Sequence, residues 1–365
     1  MCDVKAHRRT ERSEGMERAG PSPSMLRRDE EAVSEVLGVI MLLAMVMTIM
    51  SGVFVFLQPY LADFEDNANW KSAQGIANRL DDRLAVAAAS PEGIGIRTTF
   101  AMQSTSIRTL QFIEDWDLAA DLSARDAVTI ERHDEDSFTV TARNQTARSV
   151  TVVTPVGSET YPIAASDAST LIEHNVGSEH WSIITVHDAD DLPLHRSLTW
   201  AMSGLEVHTS LGMGEHRIAM SNHGRIERLG DAPWDLQHAP ALSIDTLVGG
   251  EVRLSLALRD VTTTSGIGGG RVPLEFVSLG AMELFSGEAW NLRFAMRNTL
   301  VDSITPQIHE AWLMDYSLQR SSGTLDTFVG LMPYKRASGA DGFTVATGGS
   351  PLHLEVDMAR VEVRP

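Results

Sequence analysis

The sequence predicts an α+β protein: a long N-terminal transmembrane or assembly helix, then a mainly β ectodomain arranged as an antiparallel sandwich. Three observations predict it. Uncharged, mostly apolar residues run from Val36 to Leu57, just after Arg27-Arg28-Asp29-Glu30-Glu31. Trp70, Ala73, Ala77, Leu80, Leu84 and Ala87 then fall at alternating spacings of three and four, one stripe of an amphipathic helix. Beyond Gly93, apolar and polar residues alternate at period two between turn residues.

Residues 1–31 read as a cytoplasmic leader and 32–89 as the helix, with a membrane span at about 36–57 and an amphipathic extension at about 62–89. The span of about 22 residues makes roughly 33 Å of helix, enough for a hydrocarbon core of about 30 Å and longer than a secretory signal's apolar region. Glu35 sits at its mouth. A carboxylate at the bilayer centre costs about 2.5–3.5 kcal/mol on insertion scales, but near a helix end it reaches the interface. Pro59 is a candidate bend, and Ser90-Pro91-Glu92-Gly93 ends the helix. Arg27 and Arg28 precede the span and Asp63, Glu65 and Asp66 follow it, which places the N-terminus in the cytoplasm and the bulk of the chain outside.

The run Ala32-Val33-Ser34-Glu35-Val36-Leu37-Gly38-Val39-Ile40-Met41 resembles the start of archaeal type IV pilin-like proteins, where an A-V-S-[PE]-V-[IL]-G-V-[IL] pattern follows a charged leader. The resemblance implies that a membrane prepilin peptidase cuts on the cytoplasmic side, with Glu30, Glu31 and Ala32 at the processing site. No small residue precedes the cut, so it falls after Glu30 or after Glu31. The long leader leaves Met16 and Met25 as alternative starts. The apolar segment then stays on the mature protein as anchor and assembly helix. Glu35, meeting a neighbour's N-terminal amine, and Gly38 become the positions of assembly and register. A further likeness, to large pilin-like envelope proteins of halophilic archaea, rests on Ile218-Ala219-Met220-Ser221-Asn222-His223-Gly224, on Ser265-Gly266-Ile267-Gly268-Gly269-Gly270, and on Thr305-Pro306 leading to Ala311-Trp312.

Residues 90–365 read as the β ectodomain. Strands are expected at 127–131, 137–141, 149–153, 181–186, 198–202, 252–258, 272–276, 290–296 and 352–358. Alternation along each implies one buried and one wet face, hence antiparallel sheets packed face to face. One later helix is expected, with Thr305 as N-cap, Pro306 in the first turn, and Ile308, Trp312 and Tyr316 on one face. Gly204–Glu215 is the candidate boundary between two β subdomains.

The chain has 365 residues and a formal net charge of −19. Acidic and basic residues balance within the leader, so the ectodomain carries the negative charge and would repel nucleic acid. Cys2, the only cysteine, lies in the leader, so a processed chain has no disulfide framework, thiolate metal site or cysteine nucleophile. No H-E-x-x-H occurs, and His309-Glu310 lacks a second histidine at the required spacing. His133-Asp134-Glu135-Asp136 and His187-Asp188-Ala189-Asp190-Asp191 lack EF-hand spacing and read as solvated turns. The glycine run at 266–270 leads into strand-like Arg271-Val272-Pro273 rather than a phosphate-binding helix. No G-x-S-x-G elbow and no acid/base carboxylate pair emerges, so no enzyme, cofactor or metal site is expected. Asn144-Gln145-Thr146 is a single N-glycosylation sequon.

The leading expectation is a minor or specialised pilin-like surface subunit. Its partners are the membrane, the prepilin peptidase, other pilin-like subunits and the pilus assembly machinery. The rival is a single-pass envelope protein that never polymerises and carries a binding ectodomain.

Overall fold

A computed structural model describes residues 23–133, 136–174, 180–263, 267, 269–301, 304–325, 329–335, 341–346 and 350–365. Two compact units divide the chain, Met1–Phe64 and Glu65–Pro365. Helix α1 (Pro23–Ala88) contributes to both. It starts before Ala32, so the helix takes in residues from both sides of the expected leader boundary. Proline suits the opening turn of a helix, and the Met25–Glu31 run contains neither glycine nor a β-branched residue to oppose helix. Pro59 lies inside α1, which continues through it.

In the second unit the strands are β1 (Gly95–Asp121), β2 (Val128–Arg132), β3 (Ser137–Ala142), β4 (Ser149–Thr154), β5 (Gly157–Pro162), β6 (Ser169–Glu173), β7 (Trp181–His187), β8 (Pro193–Leu211), β9 (Gly214–Ser221), β10 (Gly224–Leu229), β11 (Asp235–His238), β12 (Leu242–Thr246), β13 (Val252–Thr263), β14 (Gly269–Ala289) and β15 (Asn291–Asn298). Helix α2 (Ile304–Ser321), β16 (Gly330–Lys335), β17 (Asp341–Ala346) and β18 (Leu352–Arg364) complete it. Among the described residues one sheet holds fifteen strands, with the main path β11-β10-β9-β8-β1-β14-β18-β13-β12, and β2-β3-β6 form a second sheet.

β1 and β8 organise the large sheet by changing partners midway. One edge of β1 pairs with β14 over Gly95–Ser106 and with β15 over Glu114–Asp121. β8 pairs with β9 over Leu205–Leu211 and with β7 over Pro193–Trp200. Irregular pairing at Met102/Ser106 and Leu110/Glu114, with Phe112 at φ 48°, marks the change on β1. Such bulges bend a strand and increase its twist, so its two halves can serve different layers.

Two core clusters follow from this switch. In one half, Ala73, Ile76, Ala77, Leu80, Leu84 and Ala87 of α1 pack against Phe100, Ile107, Val207, Ile218, Leu274, Phe276 and Val361. In the other, Trp116, Leu118, Leu198 and Trp200 share a core with Leu254, Leu256, Leu284, Leu354 and Val356, and with Ile308, Trp312 and Tyr316 of α2. A third cluster joins Phe138 and Val140 of the small sheet to Val150, Val152, Ile184 and Val186 of the large one.

Three expectations change. β13 and β18 pair in parallel, from Arg253↔His353 to Thr263↔Val363, so the sheet is mixed; the chain between them provides the long crossover that parallel pairing requires. The 204–215 stretch is the end of β8 and its hairpin into β9, inside the single unit Glu65–Pro365, rather than a boundary between subdomains. Thr305 lies within α2 instead of capping it, and its hydroxyl donates to the Met296 carbonyl.

Candidate functional site

In the first unit, every residue from Ser34 to Phe64 is exposed. The side chains include Val36 (59% exposed), Leu42, Met45, Ile49 and Phe56. Among the described residues this is the one helix long and apolar enough to cross a membrane, and none of the apolar window is buried. Glu35, Gly38, Leu42, Met45, Ile49 and Gly52 recur at spacings of three and four and so share a face. No heavy atom lies within 4 Å of where a Cβ would stand on Gly38 or Gly52. Glu30, Glu31 and Ala32 belong to the α1 backbone.

From Glu65 onward the same helix is docked through polar as well as apolar contacts. Gly212 N–H donates to Asp66 at 2.7 Å. Trp70 stacks on His216 with ring centroids 4.1 Å apart. Arg225 donates to Asn78 at 2.8 Å, and Arg259 donates to Asp81 at 2.6 Å. Ser278 Oγ donates to the Ser90 carbonyl at 2.9 Å, just past the helix end.

Buried polar groups lie near the partner switch of β1 and β8. Glu114 accepts from Ser221 Oγ, from Trp116 Nε1 at 2.8 Å and from Asn298 Nδ2 at 3.3 Å. Burial pushes its carboxyl up, against the pull of those three bonds. Burial also raises Asp260, whose carboxylate faces Ser203 N–H and Trp200 Nε1. The 218–224 run singled out in the sequence is the β9–β10 hairpin that reaches this region. Asn222 (φ 44°) and His223 (φ 59°) form its two-residue turn, as expected when both central residues adopt positive φ. Asn222 Oδ1 accepts from the Arg259 N–H at 2.8 Å. Burial, then the Arg259 charge, lowers His223 to about 4, so its ring is neutral at pH 7. Apart from the 218–224 run, these positions carry no sequence signal, because β1, β8, β13 and β15 meet only in three dimensions.

A cleft of about 680 Å³ opens where β1 ends and β15 begins. Asp121 is held there by His195 Nδ1 at 2.7 Å, Arg293 at 3.0 Å and Asn291 at 3.3 Å. Burial works to raise this carboxyl, but the His195 bond and charge, with Arg293 and Asn291, bring it below the usual carboxylate range. Asn144, the sequon residue, is exposed on the cleft rim. Its Nδ2 donates to the Arg125 carbonyl at 2.8 Å and its N–H donates to Asp126 at 2.6 Å.

The remaining sequence candidates are structural or partly outside the described residues. Asp188 Oδ1 accepts from the Asp190 and Leu192 N–H groups, so this acidic turn closes on itself. The other acidic turn includes residues 134–135, and the glycine-rich run includes 265–266 and 268, all outside the described residues. His309 Nε2 lies 3.3 Å from the Leu331 carbonyl. Among the described residues no group of three or more His, Cys, Asp or Glu is arranged to hold a metal ion. Comparison with protein-family models, with curated proteins and with solved structures finds no match.

Proposed function

We propose that this is a pilin-like cell-surface subunit, anchored through the apolar part of α1 and associated with an archaeal type IV pilus-like filament as a minor or specialised member. One observation carries the reading: α1 has two kinds of apolar surface. From Ala73 to Ala87 its stripe is sealed by the protein's own sheet, while from Val36 to Leu57 every side chain is exposed. An uncharged exposed stretch of that length calls for hydrocarbon or for neighbouring apolar helices as its surroundings. In this reading the N-terminus is cytoplasmic, the prepilin peptidase cuts beside Glu30–Ala32, and Glu35 pairs with a neighbouring subunit's amine. The ectodomain faces outward as a β sandwich, a description supported by the core shared between β1, β8 and β15 on one side and β13, β14 and β18 on the other. Its role is contact rather than catalysis.

A non-polymerising envelope anchor is the second reading. It is favoured by the occupied stripe, since Ala73, Ile76, Ala77, Leu80, Leu84 and Ala87 are already covered within the subunit and that face is not left for a helical bundle. Shearing cells and probing the filament and membrane fractions separates the two. The pilin reading expects the protein in sheared filaments, with a mature N-terminus beside Glu30–Ala32. An intact leader, together with complete retention in membranes, would overturn it.

A further inference from the structure

The cleft at the end of β1 has no part in the reading above. It lies roughly 40 Å along the strand from Ile107, which packs against α1, so it occupies the far end of the sheet from the docked helix. Its volume of about 680 Å³ is within the range that holds a small ligand. Five stretches of the sequence build it: the end of β1 with the β1–β2 connection, the β3–β4 turn, Trp290 and Asn291 at the start of β15, Met332 of β16, and Thr344 and Ala346 of β17.

Its lining mixes two kinds of group. Half-buried Trp290, whose backbone N–H donates to the Asp121 carbonyl at 2.8 Å, and exposed Met332 provide apolar surface. Ser123, Arg143 and Thr344 provide hydroxyl and guanidinium groups around it. A pyranose ring presents the matching pattern, an apolar C–H face bordered by hydroxyls. Indole is the side chain with the largest flat apolar surface to receive such a face. An arginine fork can donate to two neighbouring oxygens at once.

The carboxylates explain why this is a place for binding rather than cleavage. Asp121 Oδ1 faces His195 and Arg293 while Oδ2 accepts from Asn291. Asp126 Oδ1 accepts from Asn144 N–H, and Oδ2 accepts from both the N–H and the hydroxyl of Thr146. Both acids are committed to shaping the cleft wall. Hydrolysis of a glycosidic bond needs two carboxyl groups available to the bond, one as acid and one as base or nucleophile.

We propose that this cleft binds a saccharide, with Trp290 as the stacking surface and Arg143 as the donor that orients it. The test uses the full chain in detergent and titration calorimetry with two probes, a neutral β-linked glucan tetrasaccharide and a uronate-containing tetrasaccharide. Inorganic sulfate serves as a competitor. Saturable binding of at least one sugar is expected with Kd of about 1 mM or tighter. Trp290→Ala should weaken it about tenfold or more, Trp290→Phe should retain most of it, and Arg143→Gln should weaken it several-fold. If Trp290→Ala does not fold, as judged by its thermal melt, the Phe and Gln variants decide. The proposal is overturned by no saturable binding of either sugar, by equal binding in the Arg143 variant, or by sulfate displacing the sugar completely, which would mark a simple anion site.

Discussion

Asp81 on α1 supplies the counter-charge for Arg259 on β13, an arginine only 1% exposed, at 2.6 Å. The pair crosses the layer between helix and sheet, so docking of the helix and tolerance of the buried cation are one event. Removing one partner of a fully buried pair costs about 3–5 kcal/mol. Asp81 is 52% exposed, so water relieves part of this, and Asp81→Ala is expected to destabilise the ectodomain by about 2 kcal/mol in urea unfolding. Adding Arg259→Met removes the stranded charge and should recover much of the loss. A double variant less stable than the sum of the two single changes would show that the pair is not the unit that matters.

Gly204 is required by space rather than by backbone angle. A Cβ there would collide with the Met220 carbonyl oxygen and stand 3.0 Å from Ser221 Cβ. Gly204→Ala should cost about 3 kcal/mol or prevent folding. Gly93, at φ 81° with open space around it, makes the control: Gly93→Ala should cost only about 1 kcal/mol, from backbone strain alone. Equal melting midpoints for the two variants would refute the collision.

Glu114 gives a pH signature. Its folded carboxyl is raised above the ordinary 4.5, so folding favours the protonated form. The associated stability is complete below that ordinary value and is lost as pH rises through the higher folded one. Glu114→Gln keeps a neutral side chain of the same shape. The variant should match the wild type in acid and gain on it as pH increases above about 4.5. A stability difference that stays constant from pH 4 to pH 8, followed by urea melts, would show that Glu114 does not titrate across folding.

Glu35 distinguishes assembly from simple anchoring. If it pairs with a neighbour's amine inside a helical bundle, Glu35→Gln leaves that amine unmatched at a cost of roughly 3–5 kcal/mol. The variant should still reach the membrane but be depleted from sheared filaments. Equal recovery of the two proteins in filaments points to a carboxylate that only reaches the interface.

Asn144 should accept a glycan without loss of fold. Its side-chain amide makes one hydrogen bond, to the Arg125 carbonyl, and an N-linked sugar leaves one amide hydrogen in place. Mass spectrometry of the native protein is expected to find hexose-containing adducts on the peptide carrying Asn144, and Asn144→Gln should abolish them. An unmodified Asn144 peptide from the native protein would remove this position as a glycosylation site.

The amphipathic stripe was legible because a helix repeats its buried face locally. Ala73, Ala77, Leu80, Leu84 and Ala87 were expected on that face and are buried; Trp70 is half-buried on His216, and Ile76 was overlooked. Ile308, Trp312 and Tyr316 on α2 followed the same rule. β1, the strand that joins both cores, went unread because its bulges shift the phase of alternation, so Phe100, Ile107, Ile113 and Trp116 never form one period-two series. The cleft was invisible for another reason. Ser123, Asn144, Trp290 and Thr344 are brought together by tertiary folding alone, and no local pattern links them.

The position of β18 has a consequence for the order of events during synthesis. It lies between β14 and β13, so the last strand of the chain is an interior strand of the sheet. Until Leu352–Arg364 leaves the ribosome, β13 and β14 each present an unsatisfied edge, and such edges invite pairing with other chains. The parallel register with β13 joins residues about a hundred positions apart, a slow closure that cannot start early. The large sheet therefore cannot close until β18 has been made. Before that point the chain is an open sheet, which can still be threaded through a narrow passage, while a finished one cannot.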